Sequence, residues 1–396
     1  MRNIPLGAAL IFIAVYWFIH LLAWLSLRFI VRNEARRLQW VSKGFLVWGM
    51  LQTLAFVALF IYPLNTSDTT LYALYFAYNS QLFADLFSKI PLALAGIKAL
   101  LFKRFRFSIS MAGLMISLSV LLIFGWGFTV GPRTLHTPHL ELSFPNLPAS
   151  LDGVRIVHIS DTHLGNFHCR RMFERAVDKA NQFDPHLLLF TGDLVNNFAY
   201  ETEGWAEYFQ GFTAKSGKFA VLGNHDYGDY FRWPSTEAKE ANFEGIVQAY
   251  QNFGLTLLSN SSVAVPVGPD TLYVVGVENW GHPPFPQYAN LNEAAEGIPD
   301  NLFRILLTHD PAHWESAVQY DPNYPLTLSG HSHGLQWGIK LAGIEFSLSY
   351  LTRKNWGGIY ERDGRFLNVN RGLGTIGIPL RIDMPAEVTL ITLRKS

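Results

Sequence analysis

The chain has 396 residues, of which 49% are hydrophobic, 14% aromatic and only 16% charged, with zero formal net charge. Soluble chains carry about 25% charged residues, so part of this one suits an apolar surrounding, and the apolar content excludes collagen-like, coiled-coil and disordered classes. The neutral total hides a division: residues 1–133 set 12 Lys and Arg against Glu34, Asp68 and Asp85, a balance of +9, and residues 134–396 carry −9, which argues against nucleic acid as a partner.

Residues 3–27, 44–67 and 107–132 contain no Asp, Glu, Lys or Arg. Each run exceeds the roughly 20 apolar residues that a bilayer span needs. The first is too long for the core of a cleaved signal peptide and has no small-residue cleavage pattern. A fourth run, about 71–101, is interrupted by Asp85, Lys89 and Lys98. Asp85 and Lys89 stand four apart, on one helix face, and are expected to neutralise each other inside a bundle; a proton or substrate site is the sharper alternative. His20 is expected to make a hydrogen bond within that bundle. Four spans follow. Arg28, Arg32, Arg36, Arg37 and Lys43 lie between the first two, and Lys103, Arg104 and Arg106 between the last two, whereas the stretch 63–70 has no basic residue. The positive-inside rule then puts both ends of the bundle, and everything after Arg133, outside the cytoplasm of a multi-pass protein of the plasma or inner membrane.

Residues 134–150 read as a proline-punctuated linker with a first strand, and residues 151–396 as one α/β domain. Short apolar runs at 154–160, 187–191, 219–222, 273–277, 305–308 and 326–329 predict strands. Apolar residues at helical spacing predict helices over 170–183 and about 237–253. Strand–helix alternation implies a largely parallel sheet, and after residue 334 the pattern becomes strand-like. Cys169, the single cysteine, excludes a disulfide framework and a multi-cysteine metal site, and it is expected simply to pack.

Ionisable residues gather where those strands end. Asp161 and His163 follow the first in SDTHLG, Asp193 follows the second in TGDLV, and Asn224, His225 and Asp226 follow the third in LGNHDYG. His309 ends a later strand in LLTHD, and His331 and His333 end the last in LSGHSHG. Ligands of open α/β sheets bind beyond the carboxyl ends of strands, so these five clusters can converge. One Asp with two His, and one Asn with two His, joined by a shared carboxylate, make a mixed N/O set that suits two divalent ions of Mn, Fe or Zn better than Mg or Ca. Such a pair, roughly 3.5–4 Å apart, clamps the attacking and leaving oxygens of a phosphoryl displacement. Arg371 and Arg381 are candidate phosphate clamps, with fold-supporting ion pairs as the equal alternative. His158, His168, His186, His282 and His313 read as ordinary positions.

The series D-x-H, GD, GNHD, H, GHxH resembles the calcineurin-like metallophosphoesterase superfamily over about residues 140–393. The pairing of LPASLDGVRIVHISDTHLG with NRGLGTIGIPLRI resembles its YkuE/YaeI-like membrane-associated branch. This resemblance implies a β-sandwich core of mixed sheets flanked by helices and a binuclear centre. It implies that Asp161, His163 and His333 hold one ion, that Asn224, His309 and His331 hold the other, and that Asp193 bridges them. His225 would protonate the leaving oxygen with Asp226 orienting it. The function so implied is hydrolysis of a phosphomonoester or phosphodiester on a small molecule or lipid, and tethering beside the bilayer suggests a lipid-linked or envelope substrate at the extracytoplasmic membrane surface. A pyrophosphatase for a UDP-linked acylated sugar and a metal-binding sensor on a transport bundle are the alternatives.

Overall fold

The charge-free runs of the first 133 residues form helices, which satisfy their backbone polar groups within one segment. The computed structural model describes residues 6–61, 69–167, 169–281, 286–342 and 344–396; His168, His282 and most of the stretch 63–70 lie outside the described residues. The chain divides into two compact units, Met1–Thr129 with Gly377–Pro379, and Val130–Ile376 with Leu380–Ser396.

The first unit holds helices α1 (Leu6–Val31), α2 (Ala35–Phe56), α3 (Thr69–Leu101) and α4 (Arg106–Thr129). Among the described residues three stretches, Leu6–Val31, Ala35–Leu59 and Lys103–Arg133, are long and apolar enough to cross a membrane. The expected fourth span is helical over 33 residues, but its charged residues keep it out of that class. Small residues let the helices approach: a Cβ on Gly96 would lie 2.4 Å from the Leu22 carbonyl, and one on Gly113 would lie 2.3 Å from the Ala95 Cβ. Asp85 ties three helices together. Its carboxylate receives Lys89 Nζ at 2.5 Å, Tyr16 Oη of α1 at 3.0 Å and Trp48 Nε1 of α2 at 2.9 Å. His20 Nε2 lies 2.9 Å from the Phe45 carbonyl. Replacing Asp85 by Ala removes the acceptor for all three donors, at roughly 0.6 kcal/mol per bond in a membrane bundle. Asp85→Ala should therefore lose about 2 kcal/mol of helical stability in an SDS titration, and an unshifted curve would remove Asp85 as the tie.

In the second unit the strands are, in chain order, β1 (Leu135–His136), β2 (His139–Phe144), β3 (Arg155–Ile159), β4 (Leu187–Phe190), β5 (Gly217–Ala220), β6 (Thr256–Leu257), β7 (Ser261–Val267), β8 (Asp270–Gly276), β9 (Phe303–Leu307), β10 (Leu326–Ser329), β11 (Gly338–Leu341), β12 (Ile344–Ser347), β13 (Gly358–Arg362), β14 (Arg365–Val369), β15 (Ala386–Glu387) and β16 (Thr389–Lys395). They form two six-stranded sheets, β2-β16-β3-β4-β5-β6 and β13-β14-β10-β9-β8-β7, with β1-β15 and β11-β12 as separate pairs. Pairing is parallel through β3-β4-β5-β6 and through β8-β9-β10-β14, and antiparallel at β3-β16, β7-β8 and β13-β14. Alternation alone implies a largely parallel sheet; the chain builds two mixed sheets, the sandwich that the family resemblance implies.

Side-chain period two explains the layers. Ile156, Leu187, Leu189, Ile305, Leu307, Leu326 and Leu328 point between the sheets into one core. Val157, Ile159, Leu188 and Phe190 point outward, under helix α5 (Arg170–Gln182) and the helix Thr236–Asn252. Four consecutive fully buried residues in β4 need cover on both faces, and the sandwich gives it. Asp363 and Gly364, with φ of 49° and 76°, make the tight turn of the β13-β14 hairpin, as Asp-Gly does in hairpins that need positive φ twice.

Candidate metal centre

Strands β3, β4, β5, β9 and β10 each end at one of the five polar clusters, so the expected ligands converge from both sheets. Asp161, His163 and His333 form one group, and Asp193, His309 and His331 a second. In the first, His163 Nε2 and His333 Nε2 are 3.0 Å apart, and His333 Nε2 lies 3.2 Å from Asp161 Oδ1. In the second, Asn224 Oδ1 lies 3.1 Å from His309 Nε2 and 2.7 Å from His331 Nδ1. Asp193 Oδ2 stands between them, 3.5 Å from His163 Nε2 and 3.2 Å from His309 Nε2. Its other oxygen accepts the His225 amide at 2.9 Å.

Five of these residues sit in left-handed backbone: Asp161 at φ 51°, His163 at 44°, Asp193 at 55°, His331 at 70° and His333 at 49°. Non-glycine residues rarely adopt it, and such strain concentrates at functional sites. Neighbouring strand ends press on one another. A Cβ on Gly330 would lie 2.2 Å from Asp161 Oδ2, and one on Gly223 would lie 2.2 Å from Asp193 Oδ1. The tail motif braces the same place, because Leu373 N donates to Ser160 O and Gly374 N to Asp161 O at 2.9 and 2.8 Å.

Electrostatics agree with a cation site. Burial opposes ionisation of Asp161 and Asp193, but the imidazoles around them outweigh it and hold both carboxyls well below their usual range. Burial pushes His163 down and His331 to about 4, so both offer neutral lone pairs. At His309 burial acts likewise, but Asp193 outweighs it and pushes the group up to about 10. A proton there and a cation between the two are alternative ways of neutralising Asp193. His309 Nδ1 is 2.6 Å from the Thr191 carbonyl, which fixes the tautomer and leaves Nε2 for a cation. The Nδ1 atoms of His163 and His333 are buried without hydrogen-bond partners. The crowded acceptor atoms, the unpartnered ring nitrogens and the N/O donor set fit two divalent ions.

Residues 154–335 match the family described as calcineurin-like phosphoesterase. The second unit carries a domain of that family. It is the domain of a phosphoric ester hydrolase, and the family uses a binuclear divalent metal centre. The uncharacterized metallophosphoesterase YkuE of Bacillus subtilis (strain 168) is 28% identical over 276 residues, covering 69% of this chain and 90% of its own. A transmembrane protein with metallophosphoesterase domain from Danio rerio is 28% identical over 272 residues, 65% of this chain and 57% of its own. The UDP-2,3-diacylglucosamine pyrophosphatase LpxG of Chlamydia trachomatis serovar D is 27% identical over 316 residues, 67% of this chain and 91% of its own.

Around the calcineurin-like centre the expected contact of Asp226 is replaced, and the two arginines show the fold-supporting contacts that are the alternative to phosphate clamps. Asp226 does not orient the His225 ring. Its carboxylate accepts the amides of Asp193, Leu194 and Gly223 at 3.0, 2.9 and 2.8 Å and the Tyr250 hydroxyl at 2.8 Å, locking the β4 and β5 loops together. Burial, reinforced by Asp193, pushes Asp226 up to about 7. The His225 ring is oriented instead by the Asn196 carbonyl, 2.7 Å from Nδ1, and it stacks on Tyr230 at 4.2 Å. Arg381 is buried, with its guanidinium spent on the carbonyls of Met384, Pro385, Arg371, Gly372 and Gly374. Arg371 is buried against Glu345 and Glu387. Both arginines therefore support the fold in this arrangement. His158 is a buried inter-sheet residue bonded to Thr191 and Asn368.

Three positioning residues escaped the sequence reading. Tyr230 receives Asn224 Nδ2 at 2.7 Å, which turns Oδ1 toward the histidines. Arg353 reaches Asp310 at 2.7 Å and His331 Nε2 at 2.8 Å. Buried Glu201 accepts the amides of Asn196, Asn197 and Phe198 at 2.5, 3.3 and 3.3 Å and so holds the carbonyl that orients His225. No motif marks it; AYETEG reads as a surface loop. Glu201→Ala should lower kcat about tenfold or more, as loss of such outer support commonly does, with bound metal unchanged by elemental analysis. Unchanged kcat would show that Asn196 keeps its place without Glu201.

Proposed function

We propose that the chain is a membrane-anchored dimetal phosphoesterase that hydrolyses a phosphomonoester or phosphodiester, lipid-linked or envelope-derived, at the extracytoplasmic membrane surface. The observation that carries this reading is Asp193 Oδ2, which lies within 3.5 Å of His163 and 3.2 Å of His309 and so joins the two groups. Asp161, His163 and His333 are assigned to one ion and Asn224, His309 and His331 to the other, with Asp193 shared. The ion pair, of Mn, Fe or Zn by its donor set, would supply Lewis acidity and an activated water. His225 gives its proton to the leaving oxygen. Burial lowers its pKa in the free chain, and a phosphate anion beside it favours the imidazolium again. Asn196 keeps Nε2 turned away from the backbone for that transfer.

The topology part has its own support. Arg106 lies over the Phe29 ring at 5.0 Å, which sets the basic α3-α4 connector beside the basic end of α1. With α3 as a fourth span, one basic end in the cytoplasm leaves the catalytic domain outside. LpxG favours a second reading, cleavage of a UDP-linked acylated sugar pyrophosphate. The basic connectors count against it, since nucleotide-linked precursors are cytoplasmic.

Asp193→Asn should abolish hydrolysis and drop the bound metal below two per chain; full activity with two metals would end the dimetal assignment. His225→Ala should keep both metals and lose about 10²–10⁴-fold in rate. That loss should be largest for a poor alkoxide leaving group and smallest for an activated aryl one, and equal losses would make His225 an electrostatic group instead. Reporter fusions at Asn33 and Gly268 should report opposite faces of the membrane, and cytoplasmic signals at both would favour the pyrophosphate reading.

A further inference from the structure

Large exposed apolar side chains are concentrated in one place on the second unit. Of the eleven described between Val130 and Ser396, eight fall within residues 335–351. The β11-β12 hairpin explains the pattern. Ile339 pairs with Phe346 and Leu341 with Ile344, so all four side chains share one face, and they are 58, 46, 74 and 74% exposed. The opposite face carries Lys340 and Glu345, paired at 2.8 Å, with Glu345 bound in turn to Arg371. Leu348, Tyr350 and Leu351, which follow the hairpin in the chain, are exposed as well. A monomeric domain rarely leaves such a patch bare, and one rimmed by polar groups marks an interaction surface.

The hairpin is also fastened to the metal centre. Ser347 Oγ donates to the Gly334 carbonyl at 2.6 Å, directly beside His333, and Gly338 N donates to Ile382 O at 2.9 Å. Past Leu351 the chain returns to the centre through Arg353, on Asp310 and His331. The occupant is indicated by the rest of the chain: stretches able to cross a membrane keep a lipid leaflet within reach of this domain. Exposed Lys340, Tyr350 and Lys354 lie in or just after the hairpin in the chain, and they are residue types that settle at headgroup level around an apolar wedge.

We propose that the β11-β12 hairpin inserts its apolar face into the acyl layer of a phospholipid leaflet and thereby presents lipid-borne phosphate to the metal centre. The insertion stands on the hairpin and on the membrane-crossing stretches of the chain; the substrate class rests on the hydrolase reading above.

The test uses the full chain, with Cys169→Ser as background, reconstituted in phosphatidylcholine–phosphatidylglycerol vesicles. A nitrobenzoxadiazole label on Leu341→Cys or Ile344→Cys should be quenched severalfold more by lipids spin-labelled near the top of the acyl chain than the same label on Glu361→Cys. Equal quenching at the three positions would overturn the proposal, as would label–label quenching indifferent to lipid, which would make the face a contact with a second copy. The double variant L341S/I344S should lose about tenfold or more of the turnover of phosphatidic acid in vesicles, given the apolar burial removed. Its turnover of a water-soluble aryl phosphate should stay within twofold. Unchanged vesicle turnover would overturn presentation of lipid phosphate. Absence of aryl phosphate turnover in the parent chain would strike the hydrolase reading and leave the quenching result standing.

Discussion

Crowding of acceptor atoms at the strand ends is the constraint on which the second unit depends. Two carboxylates, an amide oxygen and four imidazoles are brought to within hydrogen-bonding distance of one another in a buried place. Such a set repels itself unless positive charge lies among it. The backbone resists as well, since five of these residues hold a left-handed conformation. The surrounding loops answer both demands. Asp226 gathers amides from both neighbouring loops, Arg381 gathers five carbonyls of the tail, and the glycines allow strand ends to touch. The fold thus supplies, through its own hydrogen bonds, the frame that aims the donor atoms at one place, and a preset frame is what lets binding be spent on chemistry.

The ligand residues were legible in the sequence because each breaks an apolar run at its end, where a polar side chain has no packing motive. The two-residue spacing in GHSH and the order of five such breaks added what no single motif contained. The strands themselves were legible for the same reason, and each expected run does appear as a strand. Their assignment to one sheet or the other was not. β4 and β9 are equally apolar, and which sheet a strand joins is settled by packing across the core between Leu189 and Leu307 rather than by anything local. Asp226 shows the limit in another way: adjacency in GNHD suggested a partner for His225, yet the side chain turns to the amides on its other side. Glu201 and Arg353 lie in stretches with no pattern, and only the folded chain brings them to the site.

In the first unit, sequence and structure meet at Asp85. A charged residue lowers the apolar character of α3, yet that carboxylate is the acceptor on which α1 and α2 converge. Apolar content alone therefore says little of a helix whose polar groups are satisfied by its neighbours.

The position of β16 has a consequence for synthesis. This strand, Thr389–Lys395, lies between β2 and β3 in the first sheet, although some 230 residues separate it from β3 in the chain. Until residues 389–395 leave the ribosome, β3 lacks its neighbour on one side, and the loop bearing Asp161 and His163 lacks the bonds from Leu373 and Gly374 as well. A nascent or prematurely terminated chain thus holds every ligand residue while lacking the frame that aligns them. The frame of the centre is therefore closed from far along the chain, by β16 on one side of β3 and by the amides of Leu373 and Gly374 on the loop that follows it.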